Sequence, residues 1–433
     1  MFSKTESMII FLCTNIVLSL IKNTIYGKIS LYRNFNGGRM EKVENYYADY
    51  DKKENLSFDS KVVHGALGCD PISGAVSFPI FQSATFRHRD FGVSTGYDYS
   101  RLQNPTRQEL ERTMAILEEG VEAFAFTSGQ AASMSVFDYL KRGEHCLLCD
   151  DLYGGTHRIV EDIFRVNGIE ISYVDMFNLE DVKAAIRPNT KMVFLETPTN
   201  PMMKVGDIKG IAKIAHAAGA LFVVDNTFMT PYFQRPLTLG ADIVVHSGTK
   251  YLCGHNDVVA GMVVIKDEAL SHHFHIQLKS LGSGLGPMDS WLIIRGIKTL
   301  SLRMKKHNEN AKIVAEWLRN HPKVKKVYYV GFEDHPGYEM NLSQASGFGG
   351  MISFELDCEE SARKLLSNVK MVLFAESLGG TETLVTYPIT QTHEDVPDDI
   401  RRALGINEAF IRISVGIEDP QDIIDDLEQA LNS

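Results

Sequence analysis

Ala241-Asp242-Ile243-Val244-Val245-His246-Ser247-Gly248-Thr249-Lys250-Tyr251-Leu252-Cys253-Gly254-His255 is the stretch on which the reading of the chain turns. It starts as an apolar run of the length of a buried strand. It then breaks into small hydroxyl residues and glycines around one lysine. A lysine just past a core strand gains nothing from packing. Burial, however, lowers the pKa of an amine and populates its nucleophilic neutral form. Taken alone, Lys250 reads better as a solvated surface lysine. Twenty-five residues upstream, Ala220-Leu221-Phe222-Val223-Val224-Asp225-Asn226-Thr227 is a second apolar run ending in a carboxylate. By itself, Asp225 reads as a helix or turn cap.

Together the two stretches become specific. As neighbours in one parallel sheet, they put Asp225 and Lys250 at carboxyl ends, where open α/β sheets bind ligands. Ser247 and Thr249 add hydroxyls suited to a phosphate. A lysine for a Schiff base, hydroxyls for a phosphate and an acid for a ring nitrogen are the demands of pyridoxal 5′-phosphate (PLP).

The surrounding pattern predicts a doubly wound α/β domain with a mostly parallel sheet. Strands are expected at 123–126, 146–149, 169–174, 192–196, 221–225, 243–246 and 259–265. A helix is expected at 208–218, capped by Asp207 and stopped by Gly219. The strand ends Asp150, Glu196 to Asn200, Asp225 and Ser247 to Lys250 should share one rim. A helical stretch over 288–318 links this part, near Gly296, to a smaller α+β part. There, strands are expected at 324–330, 350–356 and 410–415, and Asp419-Pro420 opens a last helix. The expected division is an arm over 40–100 that contacts a neighbouring subunit, a cofactor-binding domain over 101–295 and a C-terminal domain over 296–433.

The chain has 433 residues, more than one core usually holds. Its net charge of −11 argues against nucleic acid or an anionic membrane as a partner. Six scattered cysteines form no disulfide framework and suit a reducing cytoplasm. Residues 1–39 are different. Five basic residues against one acid give them +4, which leaves −15 for the rest. Residues 8–21 are apolar but short for a membrane span. Asn36-Gly37-Gly38-Arg39-Met40 is what a purine-rich ribosome-binding site before a start codon would encode. The first 39 residues are therefore read as an extension of the true frame, with a leader or anchor as the competing reading.

Several local signals add to the site. Thr106 and Glu109 form a capping-box pattern ahead of a helix. Arg101, just before it, is a surface charge or a phosphate ligand. Ser128 reads as the cap of a helix whose free N–H groups at Gly129 and Gln130 make an anion site; an ordinary strand-to-helix turn reads equally well. Tyr153 is free to stack on a flat ring or to pack on its own loop. Asn200-Pro201 opens a loop at a strand end. Arg412 lies between apolar residues with no local acid, so a substrate carboxylate is the better partner. Cys146-Leu147-Leu148-Cys149 has metal or redox spacing but no second pair, and a core strand is the stronger reading. His272, His273 and His275 read as a solvated helix face. No metal site is expected.

With these residues assembled, the chain resembles the Cys/Met-metabolism family of PLP enzymes from about residue 61 onward. The motifs are Tyr97 to Thr106, Ser128-Gly129, Tyr153-Gly154-Gly155-Thr156, Glu196 to Pro201, Asp225-Asn226-Thr227, Ser247 to Lys250, Glu376-Ser377-Leu378-Gly379-Gly380 and Arg412 to Glu418. The resemblance implies PLP fold-type I, the aspartate-aminotransferase-like architecture. It implies that Lys250 is the Schiff-base lysine and proton shuttle. Asp225, in its motif with Thr227, would keep the pyridine nitrogen protonated, and Tyr153 would stack on the ring and act in proton transfer. Asn200 would contact the ring hydroxyl; Gly129, Gln130, Ser247 and Thr249 would bind phosphate. Tyr99 and Arg101 would reach the phosphate in a neighbouring subunit, making the active unit a dimer, usually paired into a homotetramer. Arg412 and Ser377 would hold the substrate α-carboxylate.

The resemblance also bears on the reaction. Position 155 is Gly, where methionine γ-lyases carry Cys. Glu376 is common in cystathionine-handling members and can meet a distal amino group. Asp98 and Arg158 resemble γ-synthase positions. The first expectation is γ-replacement on an O-acyl-homoserine by cysteine, and cleavage of cystathionine at Cγ–S or Cβ–S is the close second. O-acetylhomoserine sulfhydrylase and methionine γ-lyase rank lower. An aminotransferase would share Lys250 and Asp225 without calling for the Glu376 motif. A non-catalytic regulator would lack the lysine or add a DNA-binding domain.

Overall fold

Five strands rich in Val, Ile, Leu and Phe run parallel through the larger sheet, and such runs are what a sheet covered on both faces requires. The computed structural model describes residues 56–70, 72–394 and 396–433; the expected extension over 1–39 lies outside them. The strands are β1 (Glu122–Phe126), β2 (His145–Cys149), β3 (Glu170–Val174), β4 (Thr190–Glu196), β5 (Leu221–Asp225), β6 (Ile243–Ser247) and β7 (Gly261–Ile265). Their order is β1-β7-β6-β5-β4-β2-β3. From β3 to β6 the pairing is parallel; β7 runs antiparallel to both β6 and β1. β5 spans 221–225 as its pattern predicts, and the other strand ends move by no more than two residues. Cys146 and Cys149 are both buried in β2 as core side chains.

A smaller sheet holds β8 (Val324–Tyr328), β9 (Met351–Leu356), β10 (Leu373–Phe374), β11 (Leu384–Thr386) and β12 (Phe410–Ser414), in the order β10-β11-β12-β9-β8. The sequence pattern predicts three of these. β10 and β11 are too short to show a period; pairing with β12 makes β11 a strand, and pairing with β11 makes β10 one. Both sheets belong to one compact unit, Phe58–Ser433.

The helices that frame the site are α1 (Pro105–Glu118), α2 (Gly129–Phe137), α3 (Gly154–Ile159), α4 (Ile208–Ala217), α5 (Pro287–Ile297), α6 (Leu300–Asn320) and α7 (Pro420–Leu431). α2, α4 and α7 start at the predicted caps Ser128, Asp207 and Asp419, each accepting an N–H of the first turn. Two readings need correction. The cap of α1 is Asn104, not Thr106, and its Oδ1 accepts Thr106 N–H at 3.0 Å. Pro105 has no N–H to donate and fits the first helical position, so the cap falls before it. Thr106 instead ties down the arm, through Phe81 N–H and Pro79 C=O. The single helix expected over 288–318 is two, broken at Lys298 and Thr299. The boundary drawn at 295/296 falls in the last turn of α5. Within the expected arm, a short helix, Phe58–His64, buries Val62.

One contact of the smaller sheet bears on the site. Asp426 on α7, 7% exposed, accepts the N–H groups of Lys370, Met371 and Val372 at 2.8–3.0 Å. These residues lead into β10 and on to Glu376 and Ser377. Replacing Asp426 by Ala strands one buried and two part-buried donors and should lower stability by about 1.5–3 kcal/mol. Chemical denaturation of D426A checks this, and an unchanged midpoint contradicts it.

Candidate active site

The carboxyl ends of β4, β5 and β6 are level. Glu196 sits opposite Asp225 in the register, and Asp225 opposite Val245. The chain leaving β6 turns through Ser247-Gly248-Thr249 to Lys250. Because neighbouring strands lie about 4.8 Å apart, these ends bring Glu196, Asp225, Ser247 and Lys250 to one rim. They line a cavity of about 570 Å³.

Lys250 is buried at its amine, and Nζ donates to Ser377 Oγ at 2.8 Å. Burial first, then the charge of Arg412, lowers its pKa to about 8, against the opposing pull of Glu376. Asp225 accepts the backbone N–H of Thr227 at 3.0 Å and the Thr227 hydroxyl at 2.6 Å. Thr227 Oγ1 in turn accepts Ser247 N–H at 2.9 Å, which locks the ends of β5 and β6 together. Burial raises the Asp225 pKa, and the Thr227 hydrogen bonds oppose that shift.

Ser128 Oγ accepts Ala131 N–H at 3.0 Å, and its β-region backbone aims the first turn of α2 into the cavity. The N–H groups of Gly129 and Gln130 have no intrahelical acceptor there. A Cβ on Gly129 would stand 3.0 Å from Ser247 Oγ, so a side chain there would press these two strand-end turns apart by a few tenths of an ångström. Thr249 also lines the cavity. Tyr153 precedes α3, its ring partly open to the cavity. Burial raises its phenol pKa, and the charges of Arg158 and Arg412 pull the other way.

Arg412 on β12 is 1% exposed. Nη1 donates to Asn200 Oδ1 at 2.9 Å; Nη2 donates to Ser377 C=O at 3.0 Å and Thr386 Oγ1 at 3.2 Å. These partners are all neutral. Burial lowers its pKa to about 10, still far above neutrality, and Nε has no partner among the described residues. A buried guanidinium held by neutral oxygens is a site for a carboxylate. Ser377 supports both Lys250 and Arg412 from a left-handed backbone, φ +92°. Glu376 and Arg158 line the same cavity, with Glu376 exposed at its mouth.

Three predicted residues are elsewhere. Asp98 pairs with His88 at 2.9 Å. Arg101 donates to Lys279 C=O and lies over the Tyr99 ring, 5.5 Å from its centroid. None of the three lines the cavity of its own chain. Sequence reading missed the linings Gln391 and Thr392, and it gave Glu196 no task. Glu196 Oε2 accepts Tyr153 N–H at 3.0 Å. Its burial beneath a cluster of strand-end polar residues was a signal that local pattern alone did not carry. A larger cleft of about 890 Å³, lined by residues such as Phe177, Met202, Tyr328 and Phe332, lacks the lysine–acid pair.

The donor set suits PLP. Gln130 Oε1 is buried without a partner among the described residues, Gly129 keeps the phosphate end open, and Lys250 and Asp225 face one cavity. Residues 59–432 match the family model described as "Cys/Met metabolism PLP-dependent enzyme".

The chain belongs to that family.

A cystathionine γ-lyase of Bacillus subtilis (strain 168) is 49% identical over 372 residues, covering 86% of this chain and 98% of the relative. A cystathionine β-lyase of Lactococcus lactis subsp. cremoris (strain MG1363) is 48% identical over 87% of this chain and 99% of the relative. The crystal structure of a Lactobacillus plantarum cystathionine γ-lyase complexed with L-serine superposes with a TM-score of 0.86 at 42% identity, covering 87% of this chain and 99% of that one. The family member described here has the PLP fold-type I architecture, uses PLP and acts on carbon–sulfur bonds in trans-sulfuration.

Capture of PLP by the apoprotein needs the neutral Lys250 amine. A lysine pKa lowered by burial means that the neutral form appears at lower pH. The capture rate should therefore rise with pH and reach half its plateau near pH 8, where an ordinary lysine would require about 10.4. Absorbance growth after mixing apoprotein with PLP measures it; a rise only near pH 10 contradicts the assignment.

Proposed function

We propose that this chain cleaves cystathionine at the carbon–sulfur bond on its γ side. The observation that carries the reading is the pairing, across one cavity, of the buried Arg412 with the buried amine of Lys250. An amino acid whose α-carboxylate reaches Arg412 and Ser377 brings its Cα toward Lys250. The γ side is taken first because the relative at 49% identity and the superposed structure are both named cystathionine γ-lyase, while the relative at 48% is named cystathionine β-lyase.

In this reading PLP, when bound, supplies an electron sink for the charge left at the substrate Cα. Lys250 would hold PLP through its amine, and the same amine would move protons at the substrate Cα and Cβ. Asp225, kept in place by Thr227, holds the pyridine nitrogen protonated. Tyr153 stacks on the ring and assists proton transfer. Asn200 meets the ring hydroxyl while fixing Arg412. The N–H groups of Gly129 and Gln130 and the hydroxyls of Ser247 and Thr249 hold the phosphate. Glu376 and Arg158 meet the distal amino and carboxylate groups of cystathionine.

γ-Replacement on an O-acyl-homoserine by cysteine is the second reading. Arg158 favours it, because it lines the cavity beside Glu376 and so offers a second zwitterion a place. Product analysis separates the two: cystathionine alone should give cysteine and 2-oxobutyrate. Conversion only of acyl-homoserine plus cysteine would reverse the order, and pyruvate in place of 2-oxobutyrate would move cleavage to the β side.

We also propose that two copies share each pair of sites, in a cytoplasmic homotetramer. Support comes from Tyr99, Arg101 and Asp98, which stand outside their own cavity, and from exposed Ile72, Val76 and Phe91 in the same part of the chain. The five described cysteines are free thiols, which suits a reducing compartment. Among the described residues, no helix is long and apolar enough to cross a membrane.

Lys250→Ala should lower turnover by about 10²–10⁴-fold with the fold kept. Near-normal turnover in that variant removes the mechanism. Arg101→Ala should also be weak. Mixing the two variants under conditions of subunit exchange should recover activity, because one site of the mixed dimer then has both residues. Failure to recover would place Arg101 outside the shared site.

A further inference from the structure

Glu196 is the one buried carboxylate on the active rim to which neither sequence nor relatives give a task. It closes β4, is 6% exposed, and lies in register beside Asp225. Asp225 has its own donors on Thr227. Glu196 Oε2 accepts Tyr153 N–H at 3.0 Å, and the backbone N–H of Asn200 favours its charged form. The carboxyl thus ties the turn before α3 to the end of β4, next to two further bridges between these loops, Asp151 Oδ2 to Met202 N–H at 3.2 Å and Asp150 to Lys204 Nζ at 3.1 Å.

Both loops carry residues of the proposed site. The first presents the Tyr153 ring. The second presents Asn200, whose Oδ1 holds Arg412 Nη1 at 2.9 Å and whose backbone C=O is 3.1 Å from His393 Nε2. We infer that Glu196 is a positioning residue: by holding Tyr153 N–H from the end of β4, the strand that leads to Asn200, it sets the stacking ring and the arginine clamp relative to each other. The inference rests on the proposed site, with Tyr153 over the PLP ring and Arg412 on the α-carboxylate.

Electrostatics limits what Glu196 can do instead. Burial first, then the charge of Asp225, raises its pKa well above the usual carboxylate range, while the two backbone N–H groups oppose that shift. A carboxyl so placed is a poor counter-ion for the ring nitrogen, which Asp225 already serves. A neutral carboxyl still offers a carbonyl oxygen as acceptor, and so does a carboxamide. Glu196→Gln should then come close to wild type. Glu196→Ala and Glu196→Met remove every acceptor oxygen; methionine nearly preserves the volume, should the alanine cavity prevent folding.

The test uses holoenzyme at saturating PLP. Visible circular dichroism reports how the ring is held, and kcat and KM for cystathionine are measured per bound PLP. Expected for Glu196→Met or Glu196→Ala are a reduced or inverted visible band and a kcat about 10- to 100-fold lower, since a misplacement near 1 Å can cost 100-fold. Glu196→Gln should keep the band and stay within about 3-fold of wild type in kcat. An unchanged band and kcat per bound PLP in the Met or Ala variant, with only yield or melting temperature lowered, overturn the inference. So does a Gln variant as impaired as the other two. Borohydride labelling of the wild type tests the site reading separately: label on a lysine other than Lys250 removes that reading, whatever the Glu196 variants show.

Discussion

Alignment of the carboxyl ends of β4, β5 and β6 is the constraint on which the active site depends. Three parallel strands in register can finish level only if the next residues leave the sheet together, and here they do so through short polar turns. Thr227 enforces the arrangement, because one hydroxyl bonds both the carboxylate ending β5 and the amide ending β6. A slip of one residue in either strand would send Asp225 or Ser247 to the opposite face. The apolar interiors of these strands, buried on both faces, oppose that slip.

Electrostatics then gives the rim two poles. Arg412 and Lys250 occupy one side, each buried and each held by neutral oxygens of Ser377. Asp225 and Glu196 occupy the floor. Mutual repulsion and burial disfavour charge on the two cations and on the two acids alike. A ligand with an anionic carboxylate at one end and a protonated ring nitrogen at the other relieves both strains. The preference of the cavity for PLP with an amino acid follows from this charge layout as much as from its shape.

Much of this was legible in the chain. Strand positions followed from apolar runs, because a buried parallel strand has to be continuous in Val, Ile, Leu and Phe. Lys250, Asp225 and Ser128 stood out because polar residues at the ends of such runs have no packing role. The misreadings arose where a local rule had a local competitor. Pro105 moved the cap to Asn104, and Lys298 and Thr299 broke a helix whose apolar marks continue across them. β10 and β11 had no pattern of their own.

The sequence by itself determined the parallel sheet, the lysine and the acid at its strand ends and the turn capped by Ser128, since each is encoded within a few residues of one strand end. Only the tertiary structure decided which distant groups meet them. Ser377 reaches Lys250 from 127 residues away, and Asn200 reaches Arg412 from 212. No periodicity records such contacts, because they depend on how the smaller sheet packs at the rim of the larger one. The tie from Glu196 to Tyr153, across 43 residues, belongs to the same class. A carboxyl at a strand end becomes a clamp only once folding has brought another loop's N–H to it and excluded the water that would otherwise bind both.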